Sequence, residues 1–138
     1  MSVIRLEKTY PVPKESVWSF LVNNELLSSW CMPTKGFALA KGQTFSFEMK
    51  PSIFWDGKFH NKVMDYEEFS FLTYECISNR PSMTTVVKWM LTEENGKTKL
   101  SLEHSGFKGK DLLTKIMLTG GWRTMINTHL YEKLTDNR

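Results

Sequence analysis

The stretch FLTYECISNRPSMTTVVKWMLTEENGKTKLSLEHSGF, residues 71–107, decides the fold. Its larger apolar residues recur at every second position: Leu72, Tyr74 and Cys76, then Val87, Trp89 and Leu91, then Leu100 and Leu102 with His104 in phase. A period of two marks half-buried strands, because successive side chains leave opposite faces. Asn79 to Ser82 (NRPS) separates the first two segments with turn-forming residues. Asn95-Gly96 separates the next two and suits a two-residue hairpin, since both residues tolerate positive φ. Strands joined this way make an antiparallel meander, a sheet that can leave one face wet.

Working outward toward the N-terminus, Phe45, Phe47 and Met49 alternate with Thr44, Ser46 and Glu48, which predicts another strand. Asp56-Gly57, between SIFW (52–55) and KFHNKVMDY (58–66), predicts a second tight hairpin. Val3 to Thr9 predicts the first strand, with Ile4 and Leu6 on one face and Arg5 and Glu7 on the other. Between them, Pro13 suits the first turn of a helix, and Glu15 there favours its dipole. That helix carries Val17, Trp18, Phe20 and Leu21 to about Val22. Asn24 then reads as the N-cap of a short second helix, Glu25 to Ser29.

Toward the C-terminus, Gly106 to Lys110 reads as a turn and Asp111 as an N-cap. The helix that follows runs to about Leu134, roughly 36 Å at ~1.5 Å per residue. Leu112, Leu113, Ile116, Met117, Met125, Ile126, Leu130 and Leu134 supply its apolar stripe. The order is strand, two short helices, a run of strands, one long helix. It predicts a single α+β domain over 1–138, a curved antiparallel β-sheet closed by a long C-terminal α-helix.

Composition narrows the function classes. With 138 residues, 41% hydrophobic and 24% charged, the chain is long enough for a core without metals or disulfides. No apolar run approaches the ~20 residues of a membrane span. Arg5, Glu7 and Lys8 interrupt any N-terminal signal sequence. Cys31 and Cys76 lack zinc-ligand spacing and read as reduced thiols, so a cytoplasmic location is expected. A net charge of +3, scattered among acids, argues against nucleic acid as partner. Lys108, Lys110 and Lys115 are the densest basic group and read as solvated surface.

Nine Phe, five Trp, four Tyr and eight Met are more than a core this size requires. They serve either a filled core or the lining of an apolar cavity. Gly120-Gly121 in the last helix cost about 1 kcal/mol each relative to Ala. Three explanations are open: close approach of another backbone, room beside Trp122, or a kink. His104 reads first as a satisfied core residue and second as a ligand contact or acid-base group. Tyr74 could anchor a ligand through its hydroxyl or be structural. His60 and His129 read as surface. No nucleophile elbow, phosphate loop, metal-ligand set or cofactor motif is present, and no catalytic residue is assigned.

The segments PVPKESVWSFLVNNELLSSWCMP (11–33), GQTFSFEM (42–49), FLTYEC (71–76), LSLEHSGF (100–107) and GGWRTMINTHLYEKL (120–134) together resemble the family of homologues of the activator of heat-shock protein 90 ATPase, in the START-like (SRPBCC) superfamily. The resemblance implies the helix-grip fold and a deep apolar cavity, used across the superfamily for lipids, sterols, polyketides and aromatic products. Some relatives are cyclases or hydrolases. The co-chaperones that name the family carry a further N-terminal domain not seen here, so the name does not carry their activity over. On this basis Trp18, Trp30, Met32, Phe47, Tyr74, Trp89, His104, Met117, Trp122 and Met125 are expected in or beside the cavity, Trp30 and Trp122 foremost. The expected function is binding of a small hydrophobic, lipid-like or aromatic molecule, as a non-catalytic carrier or sensor. The alternatives are a cyclase- or hydrolase-type enzyme using His104 and Tyr74, or a stress-response module with a chaperone partner. Monomer and homodimer are both compatible with the sequence.

Overall fold

The computed structural model describes residues 2–53 and 55–136. Its strands are β1 (Ser2–Tyr10), β2 (Thr34–Lys35), β3 (Thr44–Glu48), β4 (Lys58–Glu67), β5 (Phe71–Asn79), β6 (Ser82–Glu94) and β7 (Lys97–Phe107). They form one antiparallel sheet in the order β1-β7-β6-β5-β4-β3-β2. Helices α1 (Lys14–Val22) and α2 (Asn24–Trp30) follow β1. A 3₁₀ turn (Gly109–Asp111) leads into α3 (Leu112–Thr124), a π turn (Met125–His129) and α4 (Leu130–Thr135), which together make the C-terminal helix. This is the α+β helix-grip architecture expected from the sequence.

The meander forms where period two placed it. On β5, Leu72, Tyr74, Cys76 and Ser78 are buried while their neighbours are half-exposed. Glu94 pairs with Lys97 across Asn95-Gly96, whose φ values of +56° and +76° give the two-residue hairpin. Asp56-Gly57 does something else. It closes no two-residue turn; residues 49–57 form a longer connection between β3 and β4, and Phe54 of the expected SIFW strand lies outside the described residues. Gly57, at φ +83°, accepts at its carbonyl from the Met49 N–H at 2.7 Å, and a Cβ there would collide with the Met49 carbonyl. The strand ends at Glu48, leaving Met49 half exposed.

The caps also differ. Asn23, not Asn24, caps α2, its side chain accepting from the Leu26 N–H at 3.0 Å. Asn24 instead bonds the Thr34 carbonyl and the Phe37 N–H, tying the next loop to the helix. Asp111 turns its carboxylate back to the Lys108 N–H at 2.8 Å and staples the 3₁₀ turn.

The C-terminal helix departs most from expectation. Leu118, Trp122, Ile126, Leu130 and Leu134 pack on the core, each four residues after the last. A four-residue step overshoots an α-turn of ~3.6 residues by about 40°, so such a stripe drifts off the sheet in a straight helix. The π turn winds back part of that drift: the Leu130 N–H reaches the Met125 carbonyl, five residues earlier. Leu112, Leu113, Ile116 and Met117, expected in the buried stripe, fall on the other side and are exposed. Close backbone packing does not account for Gly120-Gly121. A Cβ on Gly120 would meet nothing within 4 Å, and one on Gly121 only the tip of Met125 at 4.0 Å. The helical irregularity begins directly downstream, where the Met125 N–H is shared between the Gly121 and Trp122 carbonyls. The Tyr10 hydroxyl donates to the Ile126 carbonyl at 2.7 Å inside the protein, holding the π turn against β1.

Candidate functional site

Pleating brings the inward residues of β3 to β7 onto one concave face, and the C-terminal helix lies across it. Where its second half seals, the space is filled by the protein's own rings. Trp89 stands edge-to-face between Trp30 (5.8 Å, 74°) and Trp122 (5.3 Å, 82°). Phe45 meets Phe47 and Tyr74 in the same manner at 5.6 and 5.1 Å. Each such pair adds about 0.5–1.5 kcal/mol beyond the area it buries. The three indole N–H groups are spent as well: Trp30 on the Phe20 carbonyl, Trp89 on the Tyr74 hydroxyl, Trp122 on His104 Nδ1.

Of the residues expected near a cavity, Trp18, Trp30, Met32, Phe47, Tyr74, Trp89, His104 and Trp122 are buried. Trp18 stands apart from the Trp30–Trp89–Trp122 row, its ring meeting Phe69 edge-on. Met125 is half-buried against the core. Met117 is the exception at 65% exposed, because the sheet-facing position beside it belongs to Leu118.

His104 faces inward, yet its chemistry is spoken for. An indole N–H can only donate, so Trp122 fixes Nδ1 as the acceptor and places the proton on Nε2. Nε2–H then donates to Thr85 Oγ1 at 2.7 Å, and the Thr85 hydroxyl donates to the Cys76 carbonyl at 3.3 Å. Burial lowers the imidazole to about 3, so it stays neutral with both nitrogens occupied. This is a satisfied core histidine, not a poised acid or base.

A different set of polar atoms is unspent. Asn61 follows Phe59 and precedes Val63 on the inward phase of β4, and Ser78 continues the inward phase of β5. Each is 2% exposed. The amide nitrogen and oxygen of Asn61 and the hydroxyl of Ser78 have no hydrogen-bond partner among the described residues. Leaving such a group unpaired in the interior costs about 1–3 kcal/mol. Tyr74 accepts from Trp89, so its own proton is uncommitted. Burial pushes the Tyr74 hydroxyl well above its ordinary value, Cys31 adding to the effect, and lifts the thiols of Cys31 and Cys76 to about 12. Every group here is therefore uncharged. Asn61 and Ser78 went unnoticed in the sequence. The available signal was a polar side chain at a position whose neighbours two away are all apolar.

One end of the grip is held by three segments. The Arg80 guanidinium donates to the Ile53 and Ser52 carbonyls, both at 3.2 Å, and the Lys110 ammonium to the Ser82 carbonyl at 2.6 Å. The 49–57 loop, the β5–β6 turn and the approach to α3 thus meet beside Ser78, the last inward residue of β5. Beside these charged groups stand exposed apolar side chains, Ile53 at 82% and, at the start of α3, Leu112 and Leu113 at 57 and 79%; Ile116 and Met117 follow on the side of α3 away from the sheet at 58 and 65%. A shallow, open groove of about 490 Å³ lies along β3 to β5, with Lys35, His60, Asn61, Lys62 and Glu75 among its lining. Among the described residues, no group of three or more His, Cys, Asp or Glu could hold a metal ion. No helix among them is long and apolar enough to cross a membrane.

Comparison with known proteins agrees with this architecture. The family model described as Activator of Hsp90 ATPase homolog 1-like protein matches residues 11–135. Protein MLL2253 from Mesorhizobium loti superposes with a TM-score of 0.86 at 24% identity, covering 98% of this chain and 97% of that one. CalU16 from Micromonospora echinospora gives 0.79 at 22%, covering 96% and 76%. The Aha1 dimer from Colwellia psychrerythraea gives 0.75 at 16%, covering 97% and 96%. At these identities the likeness is one of fold. Among curated proteins, none matches the sequence.

Proposed function

Because the chain belongs to the activator of Hsp90 ATPase homolog 1-like family, we propose that it binds a small, mainly apolar molecule between the sheet and the first half of its C-terminal helix. The observation that carries this reading is a pair of inward side chains on β4 and β5, Asn61 and Ser78, whose buried polar atoms have no partner among the described residues. Trp122, Ile126 and Leu130 are sealed onto the core, while Leu112, Leu113, Ile116 and Met117 keep most of their apolar surface in water. A helix that closes over a core normally buries its apolar side chains. Those four lie on the side of α3 away from the sheet and form a separate exposed apolar patch. The role is that of a carrier or sensor. Catalysis by His104 has no support, since Trp122 and Thr85 occupy both its nitrogens.

The test is titration with Nile red, a neutral dye, followed by its emission and by the indole N–H signals of Trp89 and Trp122. Dye enhancement with movement of both indole signals is expected. Leu113→Ser with Ile116→Ser, on the side of α3 away from the sheet, should leave binding unchanged and change stability by no more than about 0.5 kcal/mol per site, as for surface positions. Enhancement without movement of the indoles, or binding lost in the double variant, rejects the reading. A second reading has one observation in its favour: a relative of the same fold is described as a dimer. The exposed face of α3 would then be covered by a second copy, and sedimentation of wild type against the same double variant decides between them.

A further inference from the structure

Asn61 sits at the centre of an uncharged polar ledge. It lies directly opposite Cys76, so Tyr74 and Ser78 are its diagonal neighbours on the same inward face. Diagonal pairs in an antiparallel sheet are about 7–8 Å apart between Cα atoms, and closer between side chains. A single small polar group entering between them reaches all three. The unspent capacity is specific: two N–H donors and one carbonyl acceptor on Asn61, a hydroxyl on Ser78, and the remaining proton on Tyr74. Donors and acceptors are both present. Beyond Thr85 and His104, which satisfy each other, the surrounding inward positions are aromatic, aliphatic or thiol.

Charge is excluded from this place. Among the described residues, no Lys or Arg side chain is buried. An anionic head group brought here would lose its water and gain no buried cation, a combination that proteins avoid; Arg80 and Lys110 at this end are exposed and already engaged, Arg80 on the Ser52 and Ile53 carbonyls and Lys110 on Ser82 and Asp111. A purely apolar molecule would leave Asn61 as unsatisfied as before. We propose that Asn61, Ser78 and Tyr74 form a recognition subsite for the neutral hydroxyl or carbonyl end of an otherwise apolar ligand, such as a phenol, an alcohol or a hydroxyketone, and that it discriminates against fatty-acid and phospholipid head groups. The proposal rests on the apolar binding reading above and names the ligand class for that site.

The experiment uses three probes of one shape: naphthalene, 2-naphthol and 2-naphthoate at neutral pH. Each is titrated into the ¹⁵N-labelled full chain, with the Asn61 side-chain amide and the Trp122 indole observed by NMR. The expected order is 2-naphthol about tenfold tighter than naphthalene, the scale of one or two net hydrogen bonds, with 2-naphthoate weakest. The Asn61 amide should shift with 2-naphthol and not with naphthalene. Asn61→Leu should abolish the preference for the hydroxyl while binding naphthalene at least as well as wild type, and Ser78→Ala should halve it or more. Equal affinity for naphthalene and 2-naphthol, tightest binding of 2-naphthoate, or a preference that survives both substitutions overturns the subsite and leaves the apolar reading intact. Failure of all three probes to move the Trp122 indole overturns both.

Discussion

Acidification should weaken this protein through His104 before its carboxylates contribute. In the fold the imidazole is neutral down to about 3, against an ordinary 6.5, because burial penalises its charged form. The unfolded chain therefore takes up a proton at His104 that the native state refuses. Stability is full above pH ~6.5 and falls as pH drops from there toward ~3, with a limiting slope of about 1.4 kcal/mol per unit for one proton. Between pH 7.5 and 5.0 the loss comes to about 2 kcal/mol, a large part of the ~5–15 kcal/mol that holds a typical domain together. Hydrogen bonds from Ser46 and from Lys41 hold Glu48 and Asp65 below the usual carboxylate range. Their stabilisation is lost only further down, as pH falls through that range, so the chosen window isolates the histidine. Urea unfolding across the window should show the loss in wild type and its near absence in His104→Gln. The glutamine can accept from Trp122 through its carbonyl and donate to Thr85 through its amide. His60 and His129 are present in both proteins and cancel. Equal pH slopes for the two, or a native imidazole that titrates near 6.5 by NMR, would refute the assigned hydrogen-bond directions.

Two further outcomes test other buried groups. Tyr10→Phe removes the donor to the Ile126 carbonyl in the π turn and should cost about 1–3 kcal/mol by urea denaturation, the range for an orphaned interior acceptor; a cost under ~0.5 kcal/mol would mean that the carbonyl is satisfied otherwise. Cys76, 3% exposed and lifted by burial to about 12, should resist iodoacetamide in the native protein at pH 8 and react on unfolding, and its rapid native labelling by mass spectrometry would contradict its placement.

What the sequence disclosed follows from how local each signal is. Strands with one covered face announce themselves by period two, and Asn95-Gly96 forms its hairpin because the turn needs nothing beyond those two residues. Asp56-Gly57 carries the same local signal, yet Gly57 spends its positive φ on pairing with Met49 across a longer loop. A dipeptide cannot distinguish these two uses. Asn23 and Asn24 are chemically identical candidates for one cap, separated only by what lies across from them in space. The apolar stripe of the last helix was misplaced because regular α-helical winding aligns Leu113, Ile116 and Met117 as well as it aligns the buried set. The winding changes at the π turn, which depends on a tyrosine more than a hundred positions away. The aromatic members of the interior were legible from size and phase. Asn61 and Ser78 were not, because an inward polar residue is identified by its missing partners, and partners are tertiary.

The strand order has a consequence for how the chain is made. β1 pairs with β7, Tyr10 lying against Thr98 and Ser2 against Phe107, so the first strand to leave a ribosome meets its partner last. At synthesis rates of ~5–20 residues per second, the partner, about 90 positions downstream, arrives roughly 5–20 s later. Through that delay β1 is a solitary ribbon with free backbone on both sides, able to pair with a neighbouring nascent chain. Arg5, Glu7 and Thr9 occupy its outward phase, and the charges of Arg5 and Glu7 make stacking on a stranger unfavourable until β7 arrives.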